Sequence, residues 1–364
     1  MSGIYYFVAL AVLVIGFAGQ AQDDNMNPVS MEANGKHSRL HNTAALMIAI
    51  ILITVAGLRF NMGTDYTGYS KYLDRYANGA WHNLIRYNEP GIGFIARACR
   101  FVYDDYPLFM FACAAITIGL YSFQISKYSP TFMVSFLVFL FGGCWVGSFN
   151  GVRQYLAAAV LFAGHRLILE KKFWKYALVV FVASLFHVSA LVMILPYFLL
   201  RRKVDLKQIV LLAVGAVIIR FSYDYILDFI GFYKGQALSS NYSYITNSVN
   251  ILRIAVSFVP LILFGLLCDK KNMTKEETFY MNCIALNAFG MLATMGSTYL
   301  ARLGDYTFAT VTIGYGFFLN RIRDRRTRRI VTFFAIVLYA VFFWYEVSIS
   351  PALRDFQWIW NRTY

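Results

Sequence analysis

The sequence predicts an all-α, polytopic integral membrane protein of about 11–12 transmembrane helices, with a large extracytoplasmic loop between helices 2 and 3. Three observations carry this reading. Only 14% of the 364 residues are charged and 59% are hydrophobic, whereas soluble domains carry about a quarter charged residues. Mean hydropathy is +0.54. Apolar stretches recur along the whole chain at roughly 20 residues each, the length at which a helix crosses a bilayer. A transmembrane β-barrel would show short alternating segments instead.

Taken in order, residues 2–19 form the first apolar stretch. They lack the basic segment of a signal peptide, although "FAGQAQ" ends in small residues, and they read as a first membrane helix with its N-terminus outside. Residues 20–41 are a polar connection. Further helices are predicted near 42–59, 107–126, 130–147, 153–169, 173–200, 207–222, 251–268, 278–299, 303–320 and 330–349. Two hydrophilic connections, 60–106 and 223–250, stand out and are expected on the extracytoplasmic side. No internal repeat or low-complexity segment divides the chain, so 1–364 is read as a single membrane domain.

The formal charge of +14 would suggest nucleic acid in a soluble protein. Here the basic residues sit mostly in short loops between apolar stretches, where topology and contact with membrane lipids account for them. No nucleic-acid partner is expected. The five cysteines are scattered, with no C-x-x-C spacing, so neither a disulfide framework nor a metal site is predicted. No cofactor is expected.

Loop charge sets the topology. "RIRDRRTRR" (321–329) carries six basic residues and "DKKNMTKEE" (269–277) three, which places both inside. Counting helices backwards puts "RRKVDLK" (201–207) inside as well. The stretch 173–200 is then decisive, because it is apolar yet bracketed by basic residues at both ends. As a single pass it puts 166–175 outside and 60–106 inside. As a hairpin of two short passes it reverses both. Density favours the hairpin: four basic residues lie in the ten of 166–175, against five in the 47 of 60–106, which also holds five acids. Length favours a single pass, since 25 helical residues rise about 37 Å. The hairpin is the preferred reading, and it would set His187 and Ser189 at an outer turn.

Ionisable groups in or beside the hydrocarbon layer are costly and each needs an account. Under the hairpin topology Arg59, Asp65, Glu89, Arg153, His187, Arg220, Arg253 and Arg302 collect near one face. In "GLRFNMGTDYTGYSKYLDRY" (57–76) Arg59 sits where a helix leaves the membrane, as a snorkelling side chain or facing an anion. Gly63 and Thr64 read as a turn and helix cap. Asp65 either favours that helix N-terminus or borders a sugar site. Tyr66, Tyr69, Tyr72 and Tyr76 follow at helical spacing, as an interfacial belt or a stacking platform. In "YNEPGIGF" (87–94) Pro90 holds Glu89 extended, a solvated acid or a second carboxylate at the site. In "SFNGVRQYLAAAV" (148–160) Asn150 and Gly151 make a turn, and Arg153 and Gln154 open a helix. An arginine there opposes the macrodipole unless it meets an anion, which exposed helix N–H groups would also bind. His187 is a satisfied core histidine, or at a hairpin tip a proton acceptor or phosphate ligand. Arg302 and Asp305 lie one turn apart and are able to pair with each other.

These segments together resemble the EpsG-like branch of the Wzy polysaccharide polymerases. The resemblance rests on "R-x-x-x-G-T-D-Y-x-x-Y" at 59–69, "E-P" at 89–90, "N-x-x-R-Q-x-L-A" at 150–157, "A-S-L-F-H-x-S-A-L" at 183–191, and Arg302 followed by "D-Y". It covers roughly 45–320. It implies an enzyme of the bacterial inner membrane that joins polyprenyl-diphosphate-linked oligosaccharide units by glycosyl transfer on the outer face. It also implies that 60–106 is outside, and that a flippase and a chain-length regulator act beside it. Such chemistry needs stabilisation of the leaving diphosphate and an acceptor for the hydroxyl proton. Arg153 and Arg302, then Arg59, are assigned to the diphosphate, since arginine forks bind it without a metal. Asp65 is the first candidate base, His187 the second and Glu89 the third. Tyr66, Tyr69 and Tyr72 would hold acceptor sugar, with Asn150 and Gln154 alongside. An O-antigen ligase and a lipid-linked-sugar transporter are the alternatives. The sequence says nothing of sugar or linkage.

Overall fold

A computed structural model describes residues 2–24, 39–78, 89–222, 225, 228–229 and 249–362. Most of the connection expected at 223–250, and the Tyr72 side chain, lie outside the described residues. Regular structure among the described residues is helical: α1 (Gly3–Asp24), α2 (Arg39–Gly57), α3 (Tyr66–Asn78), α4 (Pro90–Val102), α5 (Tyr106–Tyr128), α6 (Phe132–Phe141), α7 (Cys144–Asn150) and α8 (Val152–Ala163) form the first half. The second half comprises α9 (Phe173–Ser184), α10 (Leu206–Phe221), α11 (Ile251–Leu267), α12 (Lys275–Ala293), α13 (Asp305–Asn320) and α14 (Arg325–Ile349), with shorter turns between them. Five stretches among the described residues are long and apolar enough to cross a membrane: α1, α2, α5, the 132–150 run and α14. The protein is an all-α, multi-pass membrane protein. The other predicted spans are shorter, broken by turns or more polar.

Helix faces follow from side-chain spacing. α1 buries Tyr5, Val8 and Val12 and leaves Phe7, Leu10, Val14 and Phe17 exposed, the stripe pattern of a helix with one partnered side. The buried stripe packs on α2 and α6. The helix predicted at 130–147 is interrupted at Gly142–Gly143, where Gly143 takes φ +95°, a conformation glycine reaches without a Cβ penalty.

The 173–200 stretch is a hairpin. α9 ends at Ser184, residues Val188–Ile194 return as a 3₁₀ turn, and Pro196 opens a last short helical turn. The Phe173 and Tyr197 rings lie 5.1 Å apart, and the Tyr176 hydroxyl donates to the Met193 carbonyl at 2.8 Å. A continuous helix would hold residues 173 and 197 about 36 Å apart.

This return sorts charge to two ends. At one end Arg166 pairs with Glu276 at 2.6 Å, Asn282 donates to the Arg202 carbonyl at 2.6 Å, and Arg321 donates to the Asp269 carbonyl at 2.8 Å. The basic segments 166–175, 201–203, 269–277 and 321–323 therefore gather together. At the opposite end lie the 58–65 loop, Glu89, the α7–α8 turn, the hairpin tip and the start of α13. The C-terminal segment closes over this end. Its Gln357 carbonyl accepts from the Phe60 N–H at 2.8 Å, the Ile359 N–H donates to the Leu58 carbonyl at 2.9 Å, and the Ala352 carbonyl accepts from Gly63 at 3.0 Å.

Candidate functional site

Glu89 is the hub of the site. It is 5% exposed at the residue before Pro90, where proline disfavours helical backbone; with φ −138° and ψ 61° it is neither helical nor the extended residue that the sequence predicts. The Gly91 N–H donates to the Leu185 carbonyl at 2.9 Å, which pins the start of α4 to the hairpin tip. His187 leaves α9 in an extended conformation, and its Nδ1 reaches Glu89 Oε1 at 2.6 Å. The other carboxylate oxygen accepts from Arg153 Nη1 on the first turn of α8. Arg153 also donates from its backbone N–H and from Nε to the Tyr69 hydroxyl, both at 3.4 Å. Burial alone would raise the Glu89 carboxyl, but the His187 hydrogen bond and the Arg153 guanidinium outweigh it and hold the group below the usual carboxylate range. Four motifs far apart in sequence thus meet as Tyr69–Arg153–Glu89–His187.

Beside this network lies a cavity of about 470 Å³, within the range of small-molecule sites. It opens where α8 begins, and Asn150, Gln154 and Arg302 line it. Gln154 donates through Nε2 to the Arg302 carbonyl. The Arg302 side chain is exposed, and no hydrogen-bond or ion-pair partner for its guanidinium is present among the described residues. The cavity is graded in polarity along three of its walls. On α11 Arg253 precedes Val256, on α13 Asp305 precedes Phe308, and on α14 Glu346 lies one turn beyond Phe342. In each case the charged group is at the site end and the apolar group about a turn deeper.

Other expected site residues fall elsewhere. Arg59 is 2% exposed and does not snorkel. Its donors go to the carbonyls of Ala56, Met62 and Phe149, the last two at 3.3 Å, and it lies 4.8 Å from the Phe149 ring centroid. It fastens the 58–65 loop to the α7–α8 turn. Asn150 shares this work, accepting from the Thr64 N–H at 2.7 Å. Tyr66 and Tyr69 are buried at 2% and 5% exposure in the packing of α3 on α4 and α5, so their spacing builds an interface between helices rather than an open sugar platform. Asp65 stays half-exposed beside Thr64, whose hydroxyl donates to it at 3.4 Å. The α8 N–H groups expected to face an anion are partly used: Gly151 donates to the Gly147 carbonyl at 3.1 Å, and Arg153 to Tyr69.

Sequence reasoning assigned no role to Tyr155, Glu346 or Leu353, which also line the cavity. Glu346 carried a usable signal, an acid near the end of an apolar helix. The C-terminal segment carried none. Among the described residues no group of three or more His, Cys, Asp or Glu converges as metal ligands would.

The model of the EpsG family matches residues 42–360, a span that takes in every part of this site and the C-terminal segment. No curated protein and no solved structure matches the chain.

Proposed function

The chain belongs to the EpsG family, a Wzy-like polysaccharide polymerase family, and we propose that it joins polyprenyl-diphosphate-linked oligosaccharide units into a longer chain by glycosyl transfer. The observation that carries this is the Arg153–Glu89–His187 network set beside a cavity that is charged at its mouth and apolar below. A lipid diphosphate has the same division.

In the proposed reaction an acceptor sugar hydroxyl attacks the anomeric carbon of the donor. The new glycosidic bond forms as the bond from that carbon to the diphosphate oxygen breaks. The electron pair leaves with the polyprenyl diphosphate, and the hydroxyl proton goes to the protein. Geometry favours His187 over Asp65 as its acceptor. Nδ1 is engaged by Glu89, so the tautomer with hydrogen on Nδ1 leaves Nε2 free as a base. Glu89 is a poor base itself, because two partners stabilise its ionised form. It orients His187, as second carboxylates orient imidazoles elsewhere. Arg302 is suited to meet the departing diphosphate, since its fork of donors is uncommitted. Arg153 anchors Glu89 and adds positive charge beside the leaving group.

The positive-inside tendency supports the side on which this happens. Basic segments gather at the far end of the molecule, so the site would face outward from a bacterial inner membrane. A flippase supplying substrate to that face and a chain-length regulator are the partners this reading requires.

The test uses purified protein in liposomes with native polyprenyl-diphosphate-linked units, and products resolved on a gel. A ladder is expected from the wild type and none from Arg153→Ala. A single transfer event would point to a ligase. No product from folded protein and authentic substrate would remove the polymerase reading.

A further inference from the structure

Arg253 and Glu346 bridge two cavity walls whose main packing partners differ. α11 packs chiefly on α12 and α14 chiefly on α6, and both touch α13. Glu346 on α14 accepts from Arg253 Nε at 3.1 Å and from Nη2, and Asn250 reaches the Tyr345 hydroxyl at 3.4 Å. Below this link the two helices turn apolar side chains outward, among them Ile262, Leu266, Leu338 and Val341.

The position of Arg253 is unfavourable by itself. α11 begins at Ile251 after the Asn250 cap, whose side chain accepts from the Leu252 N–H at 3.0 Å. Arg253 thus sits in the first turn, where the helix macrodipole repels a cation and attracts an anion. Glu346 supplies that anion. The Arg253 side chain is 50% exposed and that of Glu346 20%, so an anion in the cavity reaches the pair and can take over its two-point hydrogen bonding. Arg59 is the contrast, since its carbonyl partners would be left buried and unpaired on release. Arg253 is able to exchange its partner, and the apolar Val256, Phe342 and Phe343 lie directly beneath it.

We propose that Arg253 is a diphosphate-binding side chain, that Glu346 occupies it as a surrogate anion until ligand arrives, and that the seam between α11 and α14 which this pair latches admits the polyprenyl chain from the bilayer. The proposal rests on the lipid-linked reading of the site. On binding, Glu346 is displaced, the diphosphate takes the Arg253 fork and the isoprenoid lies on the apolar floor.

The test measures binding of sugar-free polyprenyl diphosphate to the full chain in nanodiscs. Glu346→Gln frees Arg253 and is expected to tighten binding at least threefold. Arg253→Ala is expected to weaken it about tenfold or more, the scale of a lost charge-assisted hydrogen bond. Inorganic diphosphate, which cannot use the apolar floor, is expected to bind at least a hundredfold more weakly than the lipid. Equal binding of the two would overturn the lipid path. Weakening by both substitutions alike, or no change in either, would make the pair a structural clamp and overturn the latch. Should Arg253→Ala fail to fold, Arg253→Lys retains charge without the fork and is expected to weaken binding about threefold. Unchanged binding in it sinks the proposal equally. Wild-type protein that binds as stated but makes no ladder keeps this site and loses polymerisation. A ladder with binding indifferent to both residues does the reverse.

Discussion

Glu89 satisfies two partners that lie 64 and 98 residues further along the chain. Removing it strands a part-buried guanidinium and frees the His187 ring. Glu89→Ala is expected to cost about 2 kcal/mol of stability, the scale of lost hydrogen bonds to a charged group, read as thermal unfolding in detergent, and to abolish the ladder. Its pH behaviour has a definite sign. The folded-state carboxyl is depressed, so its contribution is present above the ordinary carboxylate value of about 4.3 and lost as pH falls through the lower folded value. Glu89→Gln is therefore expected to flatten the acid limb of stability below the ordinary carboxylate value of about 4.3. An unchanged limb would show that Glu89 does not govern it. Arg153→Lys keeps the charge but cannot serve Glu89 and Tyr69 together from one planar fork. A drop of about tenfold or more in chain extension is expected, and full activity would remove the role of the fork.

At the scale of elements, breaks in helices matter more than their lengths. The hairpin at 173–199 brings His187 to Glu89, and a single span would carry its two ends apart. With cysteines introduced at Phe173 and Tyr197, a short bismaleimide is expected to join them. Failure to cross-link while both sites label singly would restore the single pass. Gly63 shows how the turns are held. It adopts φ +97°, and an added Cβ would lie 2.5 Å from the Phe149 carbonyl oxygen. Gly63→Ala is expected to destabilise by about 1–3 kcal/mol, measured by thermal unfolding, by pushing the 58–65 loop off the α7–α8 turn. The "G-T-D" and "F-N-G" segments are therefore two sides of one contact.

At the scale of the whole molecule, the division into a basic end and a site end makes a topological prediction. The five cysteines are buried or half-buried, so an exposed introduced cysteine will dominate labelling. Thr67→Cys at the site end is expected to react with an impermeant maleimide in intact cells, and Lys271→Cys at the basic end only after permeabilisation. Labelling of both from one side would contradict the division.

Composition and loop charge alone carried the membrane class, most helix positions and the preference for a hairpin, because hydrophobic burial and lipid contact act on local runs of residues. The sequence also marked Glu89, Arg153, His187 and Arg302 as groups needing partners. It was silent on which partner each would take. Arg59 and Arg302 are both arginines at helix ends, yet one is spent on buried carbonyls and the other stands open at a cavity. The tyrosine stripe at 66–76 has one spacing for a sugar platform and for a packed interface. Those choices depend on which helices lie alongside, and on a C-terminal segment that returns to the loop after α2. Both are set by long-range packing, which local periodicity does not encode.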